Sequence, residues 1–106
     1  MTTLSTHVLD IELGQPAIGL PVRVVQGSRE QASARTNADG RIPELAMLEP
    51  GPYDIEFDVA AYFAEHGRAA PFLKRVSIEF EVQPGATHYH IPLLLSPYAC
   101  TSYRGS

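Results

Sequence analysis

His88 and His90 stand one residue apart, and their types and spacing are the first in the sequence to suggest chemistry. Taken as a strand, Thr87–Leu95 puts Tyr89, Ile91, Leu93 and Leu95 on one face and His88, His90, Pro92 and Leu94 on the other, because strand side chains alternate. The first set is a core face. The second carries two imidazoles aimed the same way, which suits proton transfer near neutral pH. It is either a solvated face with surface histidines or one that lines a cleft or a subunit interface, and the apolar Pro92 and Leu94 favour an interface. His-x-His is also a metal-ligand spacing, and His7 would complete a three-histidine zinc site. No cysteine or carboxylate at matching spacing joins them, so no metal is expected. His7 shares a strand face with Leu9 and Ile11, and Thr6, Val8 and Asp10 share the other. Alone, a histidine so placed is more often structural than catalytic.

The remaining reactive side chains offer less. Cys100 falls in an expected strand, Tyr98–Tyr103, where a buried structural thiol is the expectation. Ser5, Ser96 and Ser106 lack the surroundings of a nucleophile elbow, and no glycine-rich phosphate loop is present. His66 follows a short helical stretch, where an imidazole faces the helix C-terminus favourably and plays a structural part.

These residues need a scaffold, and the pattern that supplies it is period-two alternation. Tyr53, Ile55, Phe57 and Val59 alternate with Asp54, Glu56 and Asp58, and Val76, Ile78, Phe80 and Val82 alternate with charged or polar neighbours from Arg75 onward. Both runs read as strands with one buried and one wet face. Gly14-Gln15-Pro16, Asn37-Ala38-Asp39-Gly40, Pro50-Gly51-Pro52 and Pro84-Gly85 mark turns. Further strands are expected near Thr6–Glu12, Pro21–Gln26, Ala32–Thr36, Thr87–Leu95 and Tyr98–Tyr103. Many short strands with turns between them imply a mainly β sandwich of two antiparallel sheets. One helix of about two turns, about 59–66, interrupts them, capped by Asp58 and stopped by Gly67.

With 106 residues the chain has room for a single domain, 1–106, whose core is modest enough that association would help it. The net charge of −4 and the absence of a basic cluster argue against nucleic acid. No apolar run is long enough to span a membrane, and the polar Met1–Thr6 carries no secretory pattern. A single cysteine precludes an internal disulfide. A cytoplasmic location is the resulting expectation.

Three segments, in order and across the whole chain, resemble 5-hydroxyisourate hydrolases of the transthyretin-like family. They are Ser5-Thr6-His7-Val8-Leu9-Asp10 with Gly14-Gln15-Pro16-Ala17, Thr36-Asn37-Ala38-Asp39-Gly40-Arg41, and His88-Tyr89-His90-Ile91-Pro92-Leu93-Leu94-Leu95-Ser96-Pro97 ending in Tyr103-Arg104-Gly105-Ser106. The terminal tetrapeptide is the most specific. Transthyretins, the carriers of the same fold, are similar at Val8-Leu9-Asp10 and Leu94-Leu95-Ser96-Pro97-Tyr98 but lack the histidines and that ending. The resemblance implies a transthyretin-like two-sheet sandwich assembled as a homotetramer, a dimer of dimers with active sites in the clefts between dimers. It implies hydrolysis of 5-hydroxyisourate to 2-oxo-4-hydroxy-4-carboxy-5-ureidoimidazoline in urate degradation, without a cofactor. It assigns His7, Arg41 and His90 to catalysis, and His7, Arg41, Tyr103, Arg104, Gly105 and Ser106 to substrate binding. One departure is Cys100, where these enzymes commonly carry tyrosine. The competing reading is a small-ligand carrier on the same scaffold.

Overall fold

A computed structural model describes all residues, Met1–Ser106. Nine strands and one helix follow in order: β1 (Thr2–Asp10), β2 (Gln15–Pro16), β3 (Pro21–Gln26), β4 (Arg29–Arg35), β5 (Arg41–Leu48), β6 (Gly51–Phe57), α1 (Val59–Glu65), β7 (Val76–Val82), β8 (His88–Leu95) and β9 (Cys100–Ser102). They form a two-sheet sandwich. One sheet runs β2–β1–β8–β9, with β5 on the same side of β1 as β2, and the other runs β4–β3–β6–β7. All pairs are antiparallel except β1 with β8, which run parallel from Thr3 opposite His88 to Asp10 opposite Leu95.

Alternation decides what is buried. Leu4, Val8, Ile91, Leu93 and Leu95 from the first sheet meet Val22, Val24, Tyr53, Ile55 and Phe57 from the second. Helix α1 closes one end with Val59, Tyr62 and Phe63. The helix falls where expected: the Asp58 carboxylate accepts from the Ala61 N–H, and Gly67 continues past the C-cap residue His66 at φ 66°. Beneath it Asp10, 0% exposed, accepts hydrogen bonds from Tyr62 Oη at 2.8 Å and Arg68 Nη1 at 2.5 Å. These polar contacts pin the end of β1 to the segment after the helix.

Several expectations change. β4 spans Arg29–Arg35 where Ala32–Thr36 was expected. β1 begins at Thr2 rather than Thr6, and it ends at Asp10 because that carboxylate accepts from the Glu12 and Leu13 N–H groups and starts a turn. β5 was not signalled by alternation: its buried residues, Ile42, Leu45 and Leu48, recur every third position, because a bulge opposite Ser5 lets Pro43, Glu44 and Leu45 break the period. Proline has no N–H to give a ladder, and β5 tolerates one because it is an edge strand. β9 covers only Cys100–Ser102, since the Ser96 hydroxyl accepts from the Tyr98 and Ala99 N–H groups and holds those residues in a turn. Cys100 is exposed, not buried.

Candidate active site

The outward face of the first sheet is set by the parallel β1–β8 pair. Ser5 stands opposite His90 and His7 opposite Pro92, so Thr3, Ser5 and His7 of β1 share a face with His88, His90 and Pro92 of β8. Pro92, expected on an open face, is buried here. On the other side of β1, His7 pairs with Arg41, the first residue of β5. A turn places that arginine: the Asn37 side-chain oxygen accepts from the N–H groups of Asp39 and Arg41 at 2.9 and 3.0 Å. Gly40 sits within it at φ 73°, and a Cβ there would come within 2.5 Å of the Val8 carbonyl oxygen. Only glycine lets the turn close this tightly on β1.

A pocket of about 290 Å³ opens on this face, lined by Ser5, Thr6, Arg41, Pro43, His88, His90 and Ser106. Ser106 arrives because Gly105 donates its N–H to the His90 carbonyl at 2.7 Å and packs against the imidazole edge. Ser5 Oγ lies 2.9 Å from His88 Nε2 and 2.8 Å from His90 Nδ1, bridging the two rings. Burial, then the charge of Arg41, hold the pKa of His7 below its ordinary value; for His90 burial and Arg41 act the same way, followed by His7 and His88. Both imidazoles are thus held toward the neutral form, the form that accepts a proton.

The structure therefore brings His7, Arg41, His90, Gly105 and Ser106 together. Tyr103 and Arg104 turn elsewhere. Tyr103 is 60% exposed, and the Arg104 guanidinium lies over the Tyr89 ring at 4.6 Å. Both line a separate, largely apolar cavity of about 320 Å³ with Ile78, Phe80 and Ile91, where the sandwich opens between β7 and β8. Ser5, Thr6 and Pro43 join the pocket without having been singled out for it, and so does His88, which the strand-face reading put beside His90 and the family resemblance left out of the site. Ser5 was legible in retrospect, two residues from His7 on the same strand face, but its partners lie more than 80 residues away. A larger cleft of about 520 Å³ on the opposite sheet holds Arg23, Arg35, Arg75, Glu56 and Asp58, without a histidine. Arg23 there is already paired with Glu56.

A family model for the HIUase/Transthyretin family matches residues 4–105. This chain belongs to that family. A 5-hydroxyisourate hydrolase of Caulobacter vibrioides is 43% identical, with both chains covered in full. One from Mus musculus is 39% identical over 97% of this chain and 94% of its own. Among solved structures, a Klebsiella pneumoniae 5-hydroxyisourate hydrolase superposes with a TM-score of 0.91 at 41% identity, covering 100% of both chains. Sea bream transthyretin in complex with thyroxine superposes at 0.87 with 31% identity, covering 97% of this chain and 94% of that one. Both branches share the scaffold, so the choice between them falls to the chemistry of the site.

Proposed function

We propose that this protein hydrolyses 5-hydroxyisourate in urate degradation. The observation that carries the reading is one pocket lined by Arg41 and His90, with His7 beside it across the β1–β5 pair from Arg41, in a chain 43% identical over its full length to a hydrolase of that name. Apart from Pro43, every residue lining the pocket has a polar or charged side chain. A carrier of an apolar ligand needs the reverse, since such sites are mostly apolar.

The chemistry follows from the side chains. Opening a cyclic amide-like bond requires a nucleophile from water and a counter-charge for the carbonyl oxygen as it turns negative. His90 Nε2 makes no hydrogen bond within the protein and is not enclosed. It takes a proton from water as the oxygen attacks the carbonyl, a step that a positioned base accelerates roughly 10²–10⁴-fold. The imidazolium then returns that proton to the departing ring nitrogen. Arg41 offers a planar, permanently charged fork to the ring and to the developing oxyanion. His7, across the strand pair from Arg41, orients the water, and Gly105–Ser106 borders the substrate. A metal ion or organic cofactor has no part in this scheme.

A homotetramer is part of the proposal. The outer edges of β7 and β9 lack strand neighbours, and the half-buried Ile78 and Phe80 beside the exposed Tyr103 suit a partner's apolar surface. The site pocket is shallow, and a second subunit facing the first sheet would deepen it and bring Tyr103 and Arg104 of a neighbour into reach. No helix is long and apolar enough to cross a membrane. A cytosolic setting accords with the unpaired Cys100 thiol.

The direct test generates 5-hydroxyisourate with urate oxidase, adds the protein and follows the decay of ultraviolet absorbance. Strong acceleration is expected. Decay at the buffer rate would remove the hydrolase reading. Light scattering that gives the mass of a monomer at micromolar concentration would remove the tetramer.

A further inference from the structure

We infer that Ser5, backed by His88 and Thr3, is a positioning residue that fixes His90 as the Nδ1–H tautomer and leaves Nε2 unprotonated toward the pocket. The inference rests on the reading of His90 as the group that activates water. Its basis is a line of four side chains, Thr3, His88, Ser5 and His90, joined by hydrogen bonds that share single protons.

The line starts at a backbone carbonyl, which can only accept. Thr3 Oγ1 lies 3.3 Å from the Thr87 carbonyl oxygen and 2.5 Å from His88 Nδ1. A hydroxyl carries one hydrogen. When Thr3 gives its hydrogen to the Thr87 carbonyl, its oxygen must accept from His88 Nδ1–H. A neutral imidazole has one N–H, so His88 Nε2 carries a lone pair. That lone pair, 2.9 Å from Ser5 Oγ, accepts the Ser5 hydrogen. The Ser5 oxygen then accepts from His90 Nδ1–H at 2.8 Å. With its one hydrogen on Nδ1, neutral His90 presents a bare Nε2. In this orientation the polarity of the line is set at the Thr87 carbonyl and delivered at the pocket; the opposite orientation, with Thr3 giving its hydrogen to His88 Nδ1, would put the His90 proton on Nε2.

This arrangement suits the reaction in two ways. The tautomer that can accept a proton from water is the one selected before substrate arrives. Once Nε2 has taken that proton, the Nδ1–H donation to Ser5 persists, so the ring need not turn between the two halves of the reaction. Ser5 is 8% exposed and bridges both rings, so little water can stand in for its hydroxyl. The same logic separates the two histidines of the His-x-His pair. Both ring nitrogens of His88 are engaged by hydroxyls, whereas His90 keeps one free.

The test is a long-range ¹H–¹⁵N correlation spectrum of protein labelled with ¹⁵N-histidine, recorded without substrate at about pH 8, above the ordinary histidine pKa. The expected wild-type result is a protonated Nδ1 and a bare Nε2 on His90. Ser5→Ala should shift those resonances toward the tautomer mixture of free histidine. It should also lower kcat about tenfold, part of the roughly 10²–10⁴-fold a positioned base supplies, with KM changed less than about twofold. Ser5→Thr, which keeps the hydroxyl, should retain the wild-type tautomer and most of kcat. A wild-type His90 protonated on Nε2 would overturn the inference whatever the variants do. So would Ser5→Ala protein with the wild-type tautomer and kcat. Because the spectra need no substrate, they decide the tautomer even for a protein that left 5-hydroxyisourate decay unaccelerated.

Discussion

Gly105→Ala adds one methyl group where the chain's last residues rest on His90. That Cβ would lie 2.5 Å from His90 Cδ2 and 3.3 Å from both Cγ and the carbonyl oxygen. Carbon atoms in contact sit about 3.5–4.0 Å apart, so something must move by about 1 Å. The imidazole can yield, but Ser5 holds its Nδ1 at 2.8 Å, and a rotation of ~30° off its rotamer costs about 0.5–1.5 kcal/mol. The tail can yield instead, giving up the 2.7 Å hydrogen bond from Gly105 to the His90 carbonyl, about 1 kcal/mol net, and taking Ser106 from the pocket. Either way the change in stability is about 1 kcal/mol, a few degrees in melting temperature for a domain of this size. The catalytic consequence is larger, since a misplacement of about 1 Å in a reacting group costs about 10²-fold. The coupled urate oxidase assay should therefore show kcat/KM reduced about 10²-fold in a protein whose melting curve is nearly that of the wild type. If kcat/KM stays within about twofold of the wild type, the tail does not press on His90 in the working enzyme, and Gly105 and Ser106 leave the site.

His90→Asn should lower turnover about 10²-fold or more in the same assay and His88→Asn far less, because only His90 carries an unengaged ring nitrogen; equal losses would contradict this. Arg41→Lys should be severely impaired although the charge is kept, since an ammonium cannot reproduce two parallel hydrogen bonds; near-normal kinetics would make Arg41 an ordinary surface residue after a turn. Burial and then Arg41 depress the His90 pKa, and in the proposed mechanism the neutral ring is the base. The acid limb of the kcat/KM profile should accordingly have its midpoint below about 6.5, and a midpoint above that would refute the assignment. Arg68→Ala should destabilise the fold by about 3–5 kcal/mol, and thermal melting should fall by about 12 °C or more, because the buried Asp10 carboxylate loses its cation. Burial pushes the Asp10 pKa up, but hydrogen bonds from Arg68, Tyr62 and Leu13 together hold it below the usual carboxylate range. That stability is present above about pH 3.9 and is lost as pH falls through the lower folded value. The gap between variant and wild type should therefore close in acid, and a gap that persisted there would point to packing alone.

The parts of the fold that could be read in advance are those governed by local alternation or local capping. Tyr53–Phe57 and Val76–Val82 announce themselves because each polar residue separates two apolar ones that turn inward, buried in the first strand and mostly half-buried in the second. The helix is legible because Asp58 and Gly67 mark its limits within ten residues. β5 was missed because its bulge hides the period, and Cys100 lies in a strand as expected but exposed rather than buried, since sequence does not say which face of so short an edge strand turns outward. The site divides similarly. His88 and His90 stand out by composition alone. Nothing local says that β1 and β8 run side by side in parallel, and it is that pairing which sets Ser5 between the two imidazoles. The tail was expected to act as one unit, yet Gly105 and Ser106 turn toward His90 while Arg104 turns toward Tyr89.

The parallel pairing of β1 with β8 also orders events during synthesis. Thr3 meets His88, and Ser5 meets His90, across 85 residues of chain. At about 5–20 residues per second a ribosome needs about 4–17 s to supply them, longer than a small β domain typically takes to fold. β5 is complete near the middle of that interval and can cover one side of β1, so the His7–Arg41 pair can form on a nascent chain that does not yet contain His90. The other side of β1 meanwhile stands open, with its backbone groups unpaired and Leu4 and Val8 beside them. The Arg41 side of the proposed site thus precedes its His90 side, and the interval between them is when the growing chain is most exposed to pairing with the wrong strand.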